Sequence, residues 1–145
     1  MHASSPEIRQ ARPEELDRCL EIRRAVFVVD QGVPEALERD GRDPECEHFI
    51  ALSAGAAVGA ARLRELEGCA KLERVAVLAE HRGAGLGRAL VRAAEARATE
   101  RGLTEIVLSA QSAVVDFYLE LGYRTEGEPF LEAGIPHVHM RRALG

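Results

Sequence analysis

Residues 71–101 read KLERVAVLAEHRGAGLGRALVRAAEARATER, and this stretch decides the fold. It joins a β-branched strand, a short polar turn, three glycines at alternating positions and the start of a long helix. Glycine has no Cβ, so its backbone adopts left-handed angles and lets a ligand come into contact with it. The first N–H groups of a helix are unpaired and carry partial positive charge. The stretch therefore predicts an anion site, best suited to phosphate.

The three glycines, Gly83, Gly85 and Gly87, also fit a tight turn without a ligand. We favour phosphate binding because each glycine costs backbone entropy and a turn alone rarely needs all three. Arg82 precedes them and supplies a cation that can pair with a phosphate. A Walker loop is excluded because the last glycine is followed by Arg-Ala rather than by Lys and Ser or Thr. The G-x-G-x-x-G spacing of a dinucleotide site is also absent.

Composition limits the class of protein. The 145 residues suggest one domain over residues 1–145, and a hydrophobic share of 46% is enough for a core. The net charge of -5 argues against a nucleic-acid binder. Cys19, Cys46 and Cys69 form no C-x-x-C pair, so we expect no metal site and no dithiol motif. No apolar run has the length of a signal peptide or bilayer span, which predicts a cytoplasmic protein without a membrane partner.

The hydrophobic pattern predicts an alternation of strands and helices. The predicted strands are residues 7–11, 47–53, 56–66, 71–78, 105–110, 123–127 and 137–143. The predicted helices are residues 13–30, 34–39, 86–101 and 112–121, with Ser112 as an N-cap. Residues 47–78 form an antiparallel meander, and residues 71–110 form a right-handed βαβ unit. Gly134 and Pro136 predict a shaped loop at residues 130–136.

The segment 35–47 is rich in carboxylates, namely Glu35, Glu38, Asp40, Asp43, Glu45 and Glu47. Two interpretations are open. A charge-rich segment is usually a solvated loop, and composition alone favours this reading. The alternative is a negative rim that attracts a cationic acceptor such as an amine.

The order of these elements resembles that of the GNAT N-acetyltransferase superfamily over nearly the whole chain. The spacing Arg82-x-x-Gly85-x-Gly87 is similar to the acetyl-CoA signature R/Q-x-x-G-x-G/A of that family. RVAV at residues 74–77 and FYLELGY at 117–123 resemble two further family segments. VFVVDQGVP at 26–34 and GIPHVHM at 134–140 resemble the ElaA-like or YjcF-like branch, with Asp30 where that branch is expected to carry Glu.

The resemblance implies an α/β (α+β) fold with a single GNAT domain. It implies a mixed, mostly antiparallel sheet of about seven strands, a central βαβ unit and about four flanking helices. It also implies transfer of an acetyl group from acetyl-CoA to a primary amine by direct attack in a ternary complex. We favour a small molecule as the acceptor. A homodimer is common in the family.

The resemblance also implies which residues hold the co-substrate acetyl-CoA. Backbone groups of Val75 and Val77 would pair with the pantetheine arm like the edge of a strand. The N–H groups of the glycine turn would hold the pyrophosphate. The implied cofactor-binding residues are Val75, Ala76, Val77, Arg82, Gly83, Ala84, Gly85, Leu86, Gly87, Arg88 and Gln111.

Tyr118 matches the family position that often protonates the departing CoA thiolate. General acid catalysis of this kind is worth typically about 10²–10⁴-fold. Without the resemblance we would interpret Tyr118 as a core aromatic, like Phe117. With it, we expect Tyr118 to be the catalytic acid.

The base that deprotonates the amine is less well indicated. Glu73 is our candidate, acting through water, because it shares strand parity with Val75 and Val77. Lys71, rather than a carboxylate, occupies the position where some family members carry a base. Other candidates are His48, His137, Asp30 and Glu38. Because no base is obvious, the alternative function is a non-catalytic module that binds or senses an acyl-CoA in the same pocket.

Overall fold

Residues 5–145 are described by a computed structural model, and they form seven strands and four α-helices. The strands are β1 (Glu7–Gln10), β2 (Glu47–Ser53), β3 (Ala56–Leu66), β4 (Cys69–Val77), β5 (Glu105–Gln111), β6 (Arg124–Glu132) and β7 (Ile135–Ala143). The helices are α1 (Leu16–Arg23), α2 (Glu35–Glu38), α3 (Leu86–Glu100) and α4 (Val115–Glu120). Of the helices formed by these residues, none combines the length and apolar composition that a bilayer span requires.

The strands form one sheet in the order β1-β2-β3-β4-β5-β7-β6. All neighbours are antiparallel except β4 and β5, which α3 connects, so the predicted mixed sheet and βαβ unit are confirmed. The parallel strands pair only at Ala70 with Ile106 and at Lys71 with Val107. Beyond these pairs they diverge. Within residues 5–145, the β4 edge that faces β5 therefore has no strand partner from Glu73 onward, and the sheet is split.

Two separate cores lie on the two faces of the sheet. α3 packs across the first four strands, and its buried residues include Leu90, Val91 and Ala94. A Cβ on Gly59 of β3 would lie 3.1 Å from Leu90, so the absence of a side chain there lets α3 approach closely. α1 packs on the opposite face, where Cys19 is fully buried.

A β-bulge at Arg74 changes the direction of the β4 side chains. β4 holds one extra residue relative to β3 at this point, and Arg74 has a φ of 59°. An extra residue reverses the alternation of side chains beyond it. Val75 and Val77 accordingly pack towards the α3 core, whereas Glu73 lies on the other face and contacts Arg62. The prediction that the side chains of Glu73, Val75 and Val77 share one face of β4 is therefore wrong. The alternation of apolar residues in the sequence does not signal a bulge at an arginine.

The predicted helix over residues 13–30 consists of three segments. A 3-10 turn (Pro13–Glu15) leads into α1, and a π-helical segment (Arg24–Asp30) follows it directly. The prediction of Ser112 as an N-cap is wrong. Ser112 is the first residue of a 3-10 turn before α4, and its side chain makes no capping hydrogen bond.

The predicted loop over residues 130–136 is also wrong, because strands occupy most of it. Ala133 and Gly134, with φ of 52° and 74°, form a two-residue turn between β6 and β7. Two left-handed residues are the geometry of a type I′ hairpin. Pro136 pairs with Leu131 on the β6 side of β7. On the other side β5 ends opposite His137, so no strand residue among those described lies beside Pro136 to accept a hydrogen bond from it. Its missing N–H therefore breaks no ladder bond.

Candidate active site

A cleft of about 590 Å³ occupies the split between β4 and β5. Its walls come from β4, the end of β5, the π-helical segment, α4 and the hairpin of β6 and β7. The cleft brings together these predicted site residues: Glu73, Val75, Ala76, Val77, Arg82, Gln111 and Tyr118. The remaining predicted residues, Gly83 to Arg88, do not line it. They continue the chain from Arg82, so the glycine turn lies next to one end of the cleft.

The glycine turn is open. Gly83 and Gly85 have φ of 85° and 81°, the left-handed region predicted for them. A Cβ built on either glycine would meet no atom within 4 Å, so no side chain fills the turn. Arg82 lies beside it and donates from Nε to the carbonyl oxygen of Val77 over 3.0 Å. The guanidinium is thus held where the free edge of β4 ends.

Tyr118 lies on the α3 side of the cleft. Its ring packs edge-on against Phe117 and Tyr123, with centroid distances of 4.9 and 5.6 Å. Burial raises the pKa of Tyr118 well above the ordinary value for tyrosine. Among residues 5–145 the hydroxyl has no hydrogen-bond partner. A neutral phenol that lines a cleft without a protein partner is free to donate a hydrogen bond to a ligand.

Two arginines form a buried ionic network behind the cleft wall that carries Glu38 and Asp40. Arg23 of α1 and Arg62 of β3 are both sealed from solvent. Arg23 donates to Glu38 Oε2 over 3.0 Å and to Asp43 Oδ1 over 2.6 Å. Arg62 donates to Asp43 Oδ1 over 3.0 Å and to Asp40 Oδ2 over 2.6 Å. The network fastens the acidic segment to α1 and β3.

This network modifies the solvated-loop interpretation of the acidic segment and contradicts the negative rim. Glu38 and Asp43 are buried, so the segment is not simply a solvated loop. Hydrogen bonds from Arg62 hold the pKa of Asp40 well below its usual range. The carboxylates neutralise arginines of the protein itself and do not form a free negative rim. The sequence did contain a signal: Arg62 interrupts the apolar run AAVGAARL, and a buried arginine needs counter-ions.

Glu73 belongs to the same network. Its Oε1 accepts from Arg64 Nε over 2.8 Å and from Arg62 Nη2 over 3.0 Å, and Lys71 Nζ lies 3.7 Å from Oε2. Burial alone would raise the pKa of Glu73, but the hydrogen bond from Arg64 and the charges of Arg62 and Lys71 outweigh it and lower the pKa. A carboxylate held ionised by three cations accepts a proton poorly.

Gln111 and His137 lie opposite Tyr118 in the cleft. They are paired across β5 and β7. Gln111 Nε2 donates to Gln31 Oε1 over 2.7 Å, so this side chain ties the end of β5 to the residue after the π-helical segment. His137 is buried, and its Nδ1 lies 2.7 Å from the carbonyl oxygen of Ile135.

Two of the alternative bases lie outside the cleft. Asp30 is exposed and does not line it. His48 is buried on β2, where its Nε2 lies 2.9 Å from the carbonyl oxygen of Asp43. Burial lowers the pKa of His48. His48 therefore belongs to the support of the acidic segment, not to the cleft wall.

Comparison with known proteins identifies the family. Residues 7–144 match the family model described as the acetyltransferase (GNAT) domain. The chain belongs to the GNAT acetyltransferase family. It is 41% identical over 130 residues to YjcF of Bacillus subtilis, described as an uncharacterized N-acetyltransferase, with 89% of this chain and 93% of YjcF covered.

Solved structures agree with this membership of the GNAT family. A candidate N-acetyltransferase from Lactobacillus plantarum has a TM-score of 0.89 and 30% identity, with 97% of this chain and 99% of that chain covered. ElaA of Escherichia coli has a TM-score of 0.81 and 26% identity, with coverages of 95% and 98%. Together with YjcF, these relatives confirm the ElaA-like or YjcF-like branch of the GNAT superfamily. The PaiA N-acetyltransferase from Thermoplasma acidophilum, solved in complex with coenzyme A, shares the fold at a TM-score of 0.77 and 20% identity, with coverages of 97% and 99%.

Proposed function

We propose that this GNAT protein transfers an acetyl group from acetyl-CoA to the primary amine of a small molecule. The observation that carries the proposal is the split between β4 and β5, which joins an open glycine turn at one end to the hydroxyl of Tyr118, a group with no hydrogen-bond partner in residues 5–145. An extended thioester needs this arrangement: an anion site for its diphosphate, a strand edge for its amide-containing arm, and a proton donor at its sulfur.

The free edge of β4 suits the pantetheine arm. Backbone groups of Val75, Ala76 and Val77 line the cleft and have no strand partner on the β5 side within the described residues, although the carbonyl of Val77 accepts from the Arg82 side chain. The arm would add to this edge as an extended peptide does. N–H groups from Gly83 to Arg88 would bind the diphosphate at the start of α3. The guanidinium of Arg82, held by the Val77 carbonyl, would pair with it from the side.

Tyr118 would donate its phenolic hydrogen to the sulfur as the C–S bond breaks. The raised pKa keeps the phenol protonated at neutral pH, so the donor is present in every turnover. Direct attack without an acyl-enzyme is supported by the cysteines. Cys19 is buried and burial raises its pKa to about 11, which disfavours a thiolate nucleophile. None of the three cysteines is among the residues that line the cleft.

The experiment has two arms. Isothermal titration with acetyl-CoA should give saturable binding, and no binding at millimolar concentrations would defeat the proposal. Release of the CoA thiol is then followed against a panel of primary amines. Turnover of an amine with formation of its N-acetyl product supports the enzyme, whereas tight binding without turnover of any amine supports the non-catalytic acyl-CoA module.

A further inference from the structure

One carboxylate that lines the cleft has no arginine or lysine partner within residues 5–145. Glu38, Asp40 and Glu73 line it, and each forms an ion pair with an arginine at 3.0 Å or less. Arginine stays protonated in proteins, so these carboxylates stay ionised and are poor proton acceptors. Glu132 also lines the cleft, and within residues 5–145 it has neither an arginine nor a lysine partner.

His137 lies next to Glu132, and its tautomer follows from one hydrogen bond. A carbonyl oxygen can only accept, so the 2.7 Å contact between Nδ1 and the oxygen of Ile135 places the proton on Nδ1. In neutral imidazole the lone pair is then on Nε2. Nε2 has no hydrogen-bond partner in the described part of the chain and is not among its fully buried unpaired atoms, so it reaches the cleft. Glu132 Oε2 lies 3.7 Å from it, too far for a hydrogen bond.

His137 and Tyr118 lie on opposite faces of the sheet. Val138 and Met140, the next inward residues of β7, are in the α3 core with Tyr118, so His137 points to the α1 face. The split connects the two faces. A thioester seated in it with its sulfur towards Tyr118 would present the other face of its carbonyl to His137.

We propose that His137 is the base that deprotonates the acceptor amine, and that Glu132 docks the incoming ammonium beside it. The assignment rests on the proposed acetyl transfer and adds its missing proton acceptor. The acceptor is a cationic primary amine that enters from the α1 face. Glu132 attracts the ammonium and afterwards faces the imidazolium, whose charge it stabilises.

The protons balance as follows. Nε2 of His137 takes one proton from R–NH3+, and the free amine attacks the thioester carbonyl carbon. The new C–N bond forms, the C–S bond breaks, and the leaving sulfur takes the proton of Tyr118. The amide nitrogen returns its surplus proton to the Tyr118 oxygen, and His137 releases its own to solvent. One amine and one acetyl-CoA thus give one amide, one CoA thiol and one proton.

Few other titratable groups face His137. Phe130 of β6 stacks on both His137 and His139, with centroid distances of 5.9 and 4.3 Å, and carries no charge. Gln111, across on β5, is uncharged. Of the charged groups on β4 that line the cleft, Lys71 and Glu73 are paired with each other at 3.7 Å, and Arg74 is paired with Glu38 at 3.0 Å. Glu132 is thus the charge that acts on Nε2.

His137→Asn tests the base directly. The asparagine amide can still donate to Ile135 but has no group at the position of Nε2. We expect kcat/KM for a panel amine at pH 7 to fall by about 10²-fold or more, with the acetyl-CoA Kd and the melting temperature unchanged. The loss should shrink as pH rises towards the amine pKa, because the free amine then needs no base. His139→Asn, on the same face of β7 and outside the cleft lining, is the matched control and should keep full activity.

Glu132→Gln separates docking from proton transfer. We expect a raised KM for the amine and a kcat within a few-fold of the parent. An unchanged kcat/KM in His137→Asn, with normal turnover by the parent, would overturn the assignment and leave the acetyltransferase intact. Loss of acetyl-CoA binding by the parent, or no turnover of any amine, would instead remove the function and the assignment together.

A second measurement needs no acceptor. Long-range ¹H–¹⁵N correlation spectra of the free protein should show the Nδ1–H tautomer of His137. The Nε2–H tautomer at neutral pH would contradict the assignment even if acetyl transfer is confirmed, because the base would have no lone pair facing the cleft.

Discussion

Arg62 donates from Nη1 to Oδ1 of Asp43 over 3.0 Å, and both side chains are almost completely removed from solvent. The contact connects the middle of β3 with a segment that lies 19 residues earlier in the chain. Arg23 bonds the same oxygen from the other side. Buried ion pairs therefore hold the cleft wall that carries Glu38 and Asp40. We expect this wall to be rigid only while every charge of the network keeps its partner.

Arg62→Met should strongly destabilise the fold. The change removes the cation but leaves Asp40, Asp43 and Glu73 without their shared partner, and breaking a buried pair costs about 3–5 kcal/mol. Urea unfolding at pH 7 measures the loss. Arg24→Met is the matched control, since the exposed pair of Arg24 with Glu35 should contribute less than about 1 kcal/mol. Equal losses in the two variants would contradict the view that Arg62 holds the cleft wall.

The same network predicts how stability depends on pH. The pKa values of Asp40, Asp43 and Glu73 are lowered in the folded protein by their arginines. Their stabilisation is present above the ordinary carboxyl values of about 4 and is lost as pH falls through the lowered values. Unfolding free energies at pH 7, 5, 4 and 3 should be flat to about pH 5 and then fall. Arg62→Met should show a shallower acid slope, and an unchanged slope would exclude Arg62 as its source.

The secondary structure was predictable from local patterns, and the family resemblance predicted the mixed sheet with its βαβ unit, but side-chain contacts between distant segments were not predictable. The strands from Glu47 to Leu66 follow their apolar pattern, and the glycine turn follows from residues adjacent in sequence. The bulge at Arg74 escaped prediction because arginine has no preference for a positive φ. The carboxylate partners of Arg62 come from segments distant in sequence. Its location in an apolar run therefore predicts that a counter-ion exists but does not identify the residue that supplies it. The position of His137 Nε2 depends on the hairpin of β6 and β7, which was not predicted because Gly134 and Pro136 favoured a loop.

Tyr118→Phe should lower kcat by about 10²-fold and leave the acetyl-CoA Kd within a few-fold of the parent. The hydroxyl makes no hydrogen bond within residues 5–145, so its removal should not reduce stability. Because burial raises the pKa of Tyr118, the parent should show no loss of activity from its ionisation up to about pH 10.

Tyr123→Phe is the matched control for Tyr118→Phe. Its hydroxyl donates to Glu95 Oε2 over 2.7 Å and does not line the cleft. This variant should lose roughly 1.5–3 kcal/mol of stability, because the hydrogen bond goes to a buried carboxylate, and keep its kcat. The reverse pattern, with kcat lost in Tyr123→Phe and kept in Tyr118→Phe, would remove Tyr118 from the chemistry.

Gly85→Glu should abolish acetyl-CoA binding, because it places an anion in the turn where the diphosphate is proposed to lie. The left-handed φ of 81° adds a backbone strain of roughly 1–2 kcal/mol for any residue other than glycine. Gly68→Glu separates strain from ligand repulsion. Gly68 has a φ of 85° in the open turn between β3 and β4, so this variant carries the same strain away from the cleft. Calorimetric titration and thermal unfolding of both should show matched melting temperatures, with cofactor binding lost in Gly85→Glu alone.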